Sequence, residues 1–303
     1  MIRRPAPVVD LAALNRLTAL LRRLKPDLIH AHSSKAGFIA RMAGRRVAIP
    51  VLFTPHVFAF DMRVSPLLLS AYRKVEQKLM PHTACLIAVS RAEEAAALAL
   101  GYAPGRVRYI PNGIPLSPDY TPPPLAERRY DLVFIGRFCR QKGIDLMIEA
   151  LEVLLKRRPD LRVAVMGSGS RTCERHLAEL PGWITRQPFD EAEAVEHLLE
   201  QSRVLVMPSR WEGMPYLLLE AMASGTAVAA ADVGGMTDVV TDGREALLFA
   251  PESVPAICQT VERLLDDETL QQRLVDAGLA RVRDFTLERM IETTRACYEE
   301  FRQ

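Results

Sequence analysis

The sequence predicts an α/β protein of two domains, each a parallel sheet flanked by helices. Three observations carry that prediction. The chain has 303 residues, too many for one ordinary core and enough for two of about 150 each. Short apolar runs alternate with helically spaced apolar residues through both halves, the pattern of buried parallel strands and their crossover helices. Between the halves, Pro111-Asn112-Gly113-Ile114-Pro115, Ser117-Pro118 and the prolines at 122–124 are turn and linker chemistry.

In chain order, Leu14, Leu17, Leu20, Leu21 and Leu24 recur at helical spacing and stop at Lys25-Pro26. Strands follow at Asp27–His32, Val51–Thr54, Cys85–Val89 and Val107–Ile110, with helices over Ala36–Arg46 and Leu67–Leu79. Ser90 is placed to cap the next helix, with Glu93 three residues on. After the linker, strands are predicted at Tyr130–Ile135, Arg162–Met166, Trp183–Thr185, Val204–Met207 and Ala227–Ala230. Helices are predicted near Gly143–Arg157, Glu191–Gln201, Pro215–Ala223 and Phe285–Phe301. The boundaries that result are a first domain over 1–112, a linker over 113–128, a second domain over 129–283 and a terminal helical segment over 284–303 able to pack back on the first domain.

Composition excludes several classes. With 49% hydrophobic and 25% charged residues the chain is globular rather than disordered. No apolar run reaches the ~18–20 residues that cross a bilayer, and Met-Ile-Arg-Arg-Pro opens no signal peptide. Five scattered cysteines without a C-x-x-C pair read as reduced cytosolic thiols. The expected location is therefore cytoplasmic. Net charge is +2, but the first 110 residues carry 17 Lys+Arg against 6 Asp+Glu and the remainder 22 against 31. A +11 half joined to a −9 half points to an anionic partner for the basic half, such as a membrane surface or a phosphorylated ligand. Basic amphipathic stretches around Arg16–Lys25 and Arg73–Lys78 suit peripheral contact with anionic lipid, although a solvated helix face reads the same way. Nucleic-acid binding has only charge behind it, without a motif.

In open parallel sheets ligands bind beyond the carboxyl ends of the strands, and three loops of the second half sit there. Gly136-Arg137-Phe138-Cys139-Arg140-Gln141-Lys142-Gly143 brings Arg137 and Lys142 to the start of a helix. That is an arrangement for a diphosphate, though a basic surface loop looks similar. Gly167-Ser168-Gly169-Ser170 is a glycine-rich turn that a plain tight turn explains equally well. Pro208-Ser209-Arg210-Trp211-Glu212-Gly213-Met214-Pro215-Tyr216 runs into an apolar helix, with Pro215 in its first turn and Glu220 in its second. Backbone amides from Gly213 to Leu217 favour a phosphate, and the Glu212 and Glu220 carboxylates accept from hydroxyl groups. His30 and His32 alternate on one strand and face the same way, but no third metal ligand is evident.

The spacing of Glu212 and Glu220 within PSRWEGMPYLLLEAMASG resembles the signature of retaining GT-B glycosyltransferases of family 4, also called glycosyl transferases group 1. FIGRFCRQKGIDLMIEAL, VMGSGS, IPNGI, VGGMTDVVTDGREALLF and FTLERMIETTRACYEEF follow in that family's order, and HAHSSKAG and TPHVFAF resemble its N-terminal half. The resemblance implies a GT-B-like fold of two Rossmann-like domains facing a cleft. It implies transfer of a sugar, with retention, from a nucleotide-diphosphate sugar to a lipid-linked or polysaccharide acceptor, without a metal or other cofactor. Residue by residue, it implies that Gly136, Arg137 and Lys142 hold the diphosphate, and that Glu212 and His56 are catalytic groups at the donor sugar. The Gly213, Met214, Pro215, Tyr216 and Leu217 backbone would hold sugar and phosphate, Glu220 the ribose, and the Arg186-Gln187-Pro188 loop the base. Asp27–His32 would then be the first convincing strand of a shortened N-terminal domain, an exposed edge open to self-association. A non-catalytic nucleotide-sugar-binding subunit, or a truncated remnant, is the alternative that such shortening raises.

Overall fold

The computed structural model describes residues 6–61, 65–181, 185–187 and 192–302, with backbone alone at 186, 187, 192 and 193. The chain divides into two compact units. The first is Met1–Pro111 with Glu288–Gln303, and the second is Asn112–Leu287.

In the first unit α1 (Pro7–Leu24) opens with proline in its first turn and closes at Lys25. There a left-handed φ of 47° turns the Lys25 N–H back onto the Leu21 carbonyl, and Pro26 prevents continuation. Then come β1 (Ile29–His32), α2 (Ser34–Val47), β2 (Val51–Thr54), α3 (Pro66–Leu79), β3 (Cys85–Ala88), α4 (Arg91–Leu100) and β4 (Val107–Tyr109). The four strands are parallel and lie in the order β1-β2-β3-β4, which makes β1 an edge.

Right-handed crossovers that always step in the same direction leave their helices on one face. Phe53, Leu86, Ala88 and Val107 pack there with Ala97 and Leu100 of α4. Strand residues alternate between faces, so Leu52, Cys85 and Ile87 point the other way, where no crossover can cover them. The C-terminal helix Leu287–Phe301 covers them instead, through Met290, Cys297, Tyr298 and Phe301. The Cys85 and Cys297 sulfurs lie 3.7 Å apart as free thiols in this layer.

The second unit holds β5 (Tyr130–Ile135), α5 (Ile144–Arg157), β6 (Val163–Met166), α6 (Arg171–Glu179), β7 (Thr185–Gln187), α7 (Ala192–Glu200), β8 (Ser202–Met207), α8 (Tyr216–Ala223), β9 (Ala227–Ala231), β10 (Leu247–Phe249), α9 (Val254–Asp266) and α10 (Glu268–Arg281); the C-terminal helix is α11. All six strands are parallel, in the order β10-β9-β8-β5-β6-β7. Strands β6 and β9 are buried throughout, as expected for a sheet covered on both faces.

Several sequence expectations shift. The strand expected at Trp183–Thr185 runs over Thr185–Gln187, and Trp183 lies outside the described residues. Arg186 and Gln187 are thus strand residues rather than loop, and Pro188 lies outside the described residues. The stretch 113–128 is packed into the second unit rather than strung between domains. Ile114 exchanges backbone hydrogen bonds with Phe285 and Leu287. Buried Arg128 donates to the carbonyls of Pro123, Leu199, Ser202 and Ser224. Pro215 is the N-cap of α8, in extended backbone, and not its first helical residue.

Candidate functional site

The strand order of the second unit places the site. The chain lays β6 and β7 on one side of β5, then returns to put β8, β9 and β10 on the other. The loops leaving β5 and β8 therefore diverge, and a crevice opens between them at the strands' carboxyl ends.

The β5 loop ends at Gly143, the N-cap of α5, with φ 69°. A Cβ there would stand 2.0 Å from the Pro208 carbonyl oxygen, so only glycine lets the two loops meet. Gly235 is required for a similar reason, since a Cβ would lie 1.3 Å from the Gly213 carbonyl oxygen. Arg210 locks the same junction. It is 7% exposed, and its guanidinium donates to both Asp145 oxygens at 2.9 and 2.7 Å, to Glu252 at 2.7 Å and to the Arg140 carbonyl at 2.7 Å. Burial would push the Asp145 carboxyl up, but the Arg210 bonds and charge outweigh it and hold the group below the usual carboxylate range.

On this frame Lys142 and Glu212 meet. The Lys142 ammonium donates to Glu212 Oε1 at 2.6 Å, and Ser209 Oγ donates to the same oxygen at 2.7 Å. Arg137 is exposed beside them and donates to Gln141 Oε1 at 3.2 Å, while Gln141 Nε2 reaches the Trp211 carbonyl at 3.2 Å. Gly136 ends β5. Gly213, Met214 and Pro215 are buried, and Asn112 Nδ2 holds the Met214 carbonyl at 2.7 Å. Tyr216 and Leu217 open α8, whose first-turn amides point out of the helix end. Glu220, in the second turn, is half-buried; burial, and then the charge of Glu196, push its carboxyl above the usual range. The backbone of Arg186 and Gln187 sits at the carboxyl end of β7, the outer strand on the β6 side.

His56 belongs to the first unit. His32 Nδ1 and His56 Nε2 are 2.9 Å apart, with the rings stacked. The His30 and His32 ring centroids are 4.1 Å apart. His30 is held by Tyr298 Oη at 2.7 Å and Thr54 Oγ1 at 2.8 Å. Burial first, and then neighbouring rings, push His30 and His56 down to about 4, so both are neutral near pH 7. Among the described residues no group of three His, Cys, Asp or Glu side chains is arranged to hold a metal ion.

Sequence reasoning missed Ser209, Gln141 and the Arg210–Asp145–Glu252 lock. An arginine three residues beyond a buried apolar strand was the available signal, because a buried guanidinium in that position needs carboxylate partners.

The sequence pattern of the family described as glycosyl transferases group 1 matches residues 121–281, and that of the glycosyl transferase 4-like domain matches residues 1–113. The chain belongs to the group 1 glycosyltransferases. This glycosyltransferase is 27% identical over 288 residues to the UDP-Gal:alpha-D-GlcNAc-diphosphoundecaprenol alpha-1,3-galactosyltransferase of Escherichia coli, covering 87% of this chain and 72% of that one. It is 31% identical over 291 residues to a D-inositol 3-phosphate glycosyltransferase of Pseudarthrobacter chlorophenolicus, covering 86% and 67%. Among solved structures it resembles Anabaena HepE in complex with UDP and glucose, with a TM-score of 0.80, 17% identity, and coverage of 98% and 84%. The two parallel-sheet units and this likeness make the fold GT-B-like. Among the described residues no helix is long and apolar enough to cross a membrane.

Proposed function

We propose that this glycosyltransferase moves a sugar, with retention of configuration and without a metal, from a nucleoside-diphosphate sugar to a lipid-linked or polysaccharide acceptor. The observation that carries the reading is the Lys142–Glu212 pair in the crevice between the carboxyl ends of β5 and β8. Lysine has three donors; one goes to Glu212, and the others serve the donor's phosphates together with Arg137 and the first-turn amides of α8. These groups stabilise the charge that grows on the departing nucleoside diphosphate as the glycosidic bond stretches toward an oxocarbenium-like state.

Glu212 Oε1 is already engaged by Lys142 and Ser209. That suits a carboxylate that orients sugar hydroxyls better than one that attacks carbon. Retention then runs by same-face displacement, the leaving phosphate taking the acceptor proton. Glu220 accepts from the ribose hydroxyls, the Arg186-Gln187-Pro188 segment meets the base, and neutral His56 bonds a donor-sugar hydroxyl. The uridine nucleotides named for the E. coli relative and in the Anabaena complex make uridine diphosphate sugars the first donors to try. Peripheral contact with anionic lipid is supported by α1 and α3. Val8 is 83% and Leu67 84% exposed, and α3 also carries Arg73, Lys74 and Lys78.

A thermal-shift screen of nucleotide sugars tests the donor site, because a ligand of the native state raises Tm by mass action. The best ligand should stabilise the wild type and lose most of that effect on Lys142→Ala and Glu220→Ala. Equal stabilisation of both variants would refute the assignment, and binding without transfer or hydrolysis would favour a non-catalytic subunit. Transfer should persist in EDTA, and cosedimentation should increase with the anionic lipid content of vesicles.

A further inference from the structure

The loop after β2 places two non-glycine residues in left-handed backbone, His56 at φ 54° and Val57 at φ 103°. A β-branched residue is among the poorest choices for such a conformation, so the surrounding structure must impose it. One restraint lies on the C-terminal side, where Phe58 is buried and stacked on Phe60 with ring centroids 4.6 Å apart. The other is a carboxylate. The Val57 N–H donates to Glu93 Oε1, and the Val89 N–H donates to Glu93 Oε2 at 3.0 Å.

Glu93 is 4% exposed and occupies the third helical position of α4, where Ser90 Oγ accepts its own N–H at 3.1 Å. In a capping box the glutamate at this position turns back to the N-cap amide. Here it reaches one residue further, to Val89, and across to the next loop. Half of a helix cap has become a clamp between α4 and the segment that presents His56.

We propose that Glu93 is the positioning residue for His56: by holding the Val57 amide it fixes the strained turn that sets the imidazole against His32. Its effect on transfer rests on the reading of His56 as a donor-sugar contact, whereas its effect on the loop does not.

The test uses the whole 303-residue chain and four variants, Glu93→Ala, Glu93→Ala/Val57→Gly, Ser90→Ala and His56→Ala. The readouts are exchange of the Val57 amide, the His56 imidazole NMR signals, and kcat and KM for UDP-galactose hydrolysis. If Glu93→Ala fails to fold, Glu93→Gln replaces it, since glutamine keeps the volume but only one acceptor. In Glu93→Ala the Val57 amide should lose protection, the His56 signals should shift or broaden, and kcat should fall about ten- to a hundredfold with donor KM little changed. Val57→Gly in that background should restore most of the kcat, because glycine adopts this backbone unaided. Ser90→Ala, which removes only the cap, should lower Tm and leave the His56 signals in place.

A protected Val57 amide and unchanged His56 signals in Glu93→Ala would overturn the clamp, whatever the activity. Loss of kcat that Val57→Gly fails to restore would overturn the mechanism by backbone strain. Wild-type kcat in His56→Ala would instead overturn the reading of His56, and UDP-galactose inert toward the wild type would overturn that choice of donor. In both cases the exchange and imidazole data still decide the clamp.

Discussion

The first unit lays its strands down as β1-β2-β3-β4, each beyond the last, whereas the second adds strands to one side of β5 and then to the other. Both are built from the same strand–helix repeat. The second gains a crevice between diverging loops at β5 and β8, and fills it with cations, carboxylates and helix amides. The first has no reversal among its described strands and carries a row of neutral imidazoles at the carboxyl ends of β1 and β2. Strand order, more than composition, thus decides which unit opens a crevice at the carboxyl ends of its strands.

That contrast can be broken most sharply at the crevice. Lys142→Ala and Glu212→Ala should each lower kcat/KM for transfer about 10²- to 10³-fold, with Tm little changed. The double variant should cost much less than the product, because the two groups act as a pair. Additive losses would separate them.

The next largest effect belongs to the first unit and depends on pH. His30 and His56 are held at about 4, against an ordinary value near 6.5. The unfolded chain therefore binds more protons between those values. Stability is full above pH 6.5 and falls as the pH drops toward 4, by on the order of 2–3 kcal/mol per ring. His30→Gln/His56→Gln should flatten the dependence of Tm on pH over this window, and an unchanged slope would show that the rings are not its source.

A smaller change is expected at Glu220, where Glu220→Gln should weaken nucleotide-sugar binding about tenfold by calorimetry, roughly the worth of one charged hydrogen bond. Ser90→Ala should cost the first unit about 1 kcal/mol in a denaturant titration, the usual value of an N-cap.

Much of the frame was legible in the sequence. Tyr130–Ile135 is an apolar run bounded by charge and glycine, and its limits as a strand match the expectation. Val51–Thr54 does the same in the first unit. Three-residue β10 left too short a pattern to read. Helices α9 and α10 were not predicted, although Ser253 and Asp267 cap them through the Ala256 and Leu270 amides. In the site, Glu212, Glu220 and Lys142 could be singled out, since each is a charged residue beside a buried strand or helix. The His32–His56 contact could not, because it depends on the β1–β2 register and on a turn whose φ values no local propensity favours. Glu93 was readable only as half of a cap. Its second partner lies 36 residues away, beyond what any local pattern reports.

The helix that closes the back of the first sheet is made only after the whole second unit. Leu52, Cys85, Ile87 and Ile110 must wait for Met290, Cys297 and Tyr298 while the whole of Asn112–Leu287 is synthesised. At ordinary translation speeds that delay lasts roughly ten to thirty seconds. Throughout it a nascent chain with four paired strands still shows an oily flank to solvent. Chaperone demand during translation should thus concentrate on the first unit.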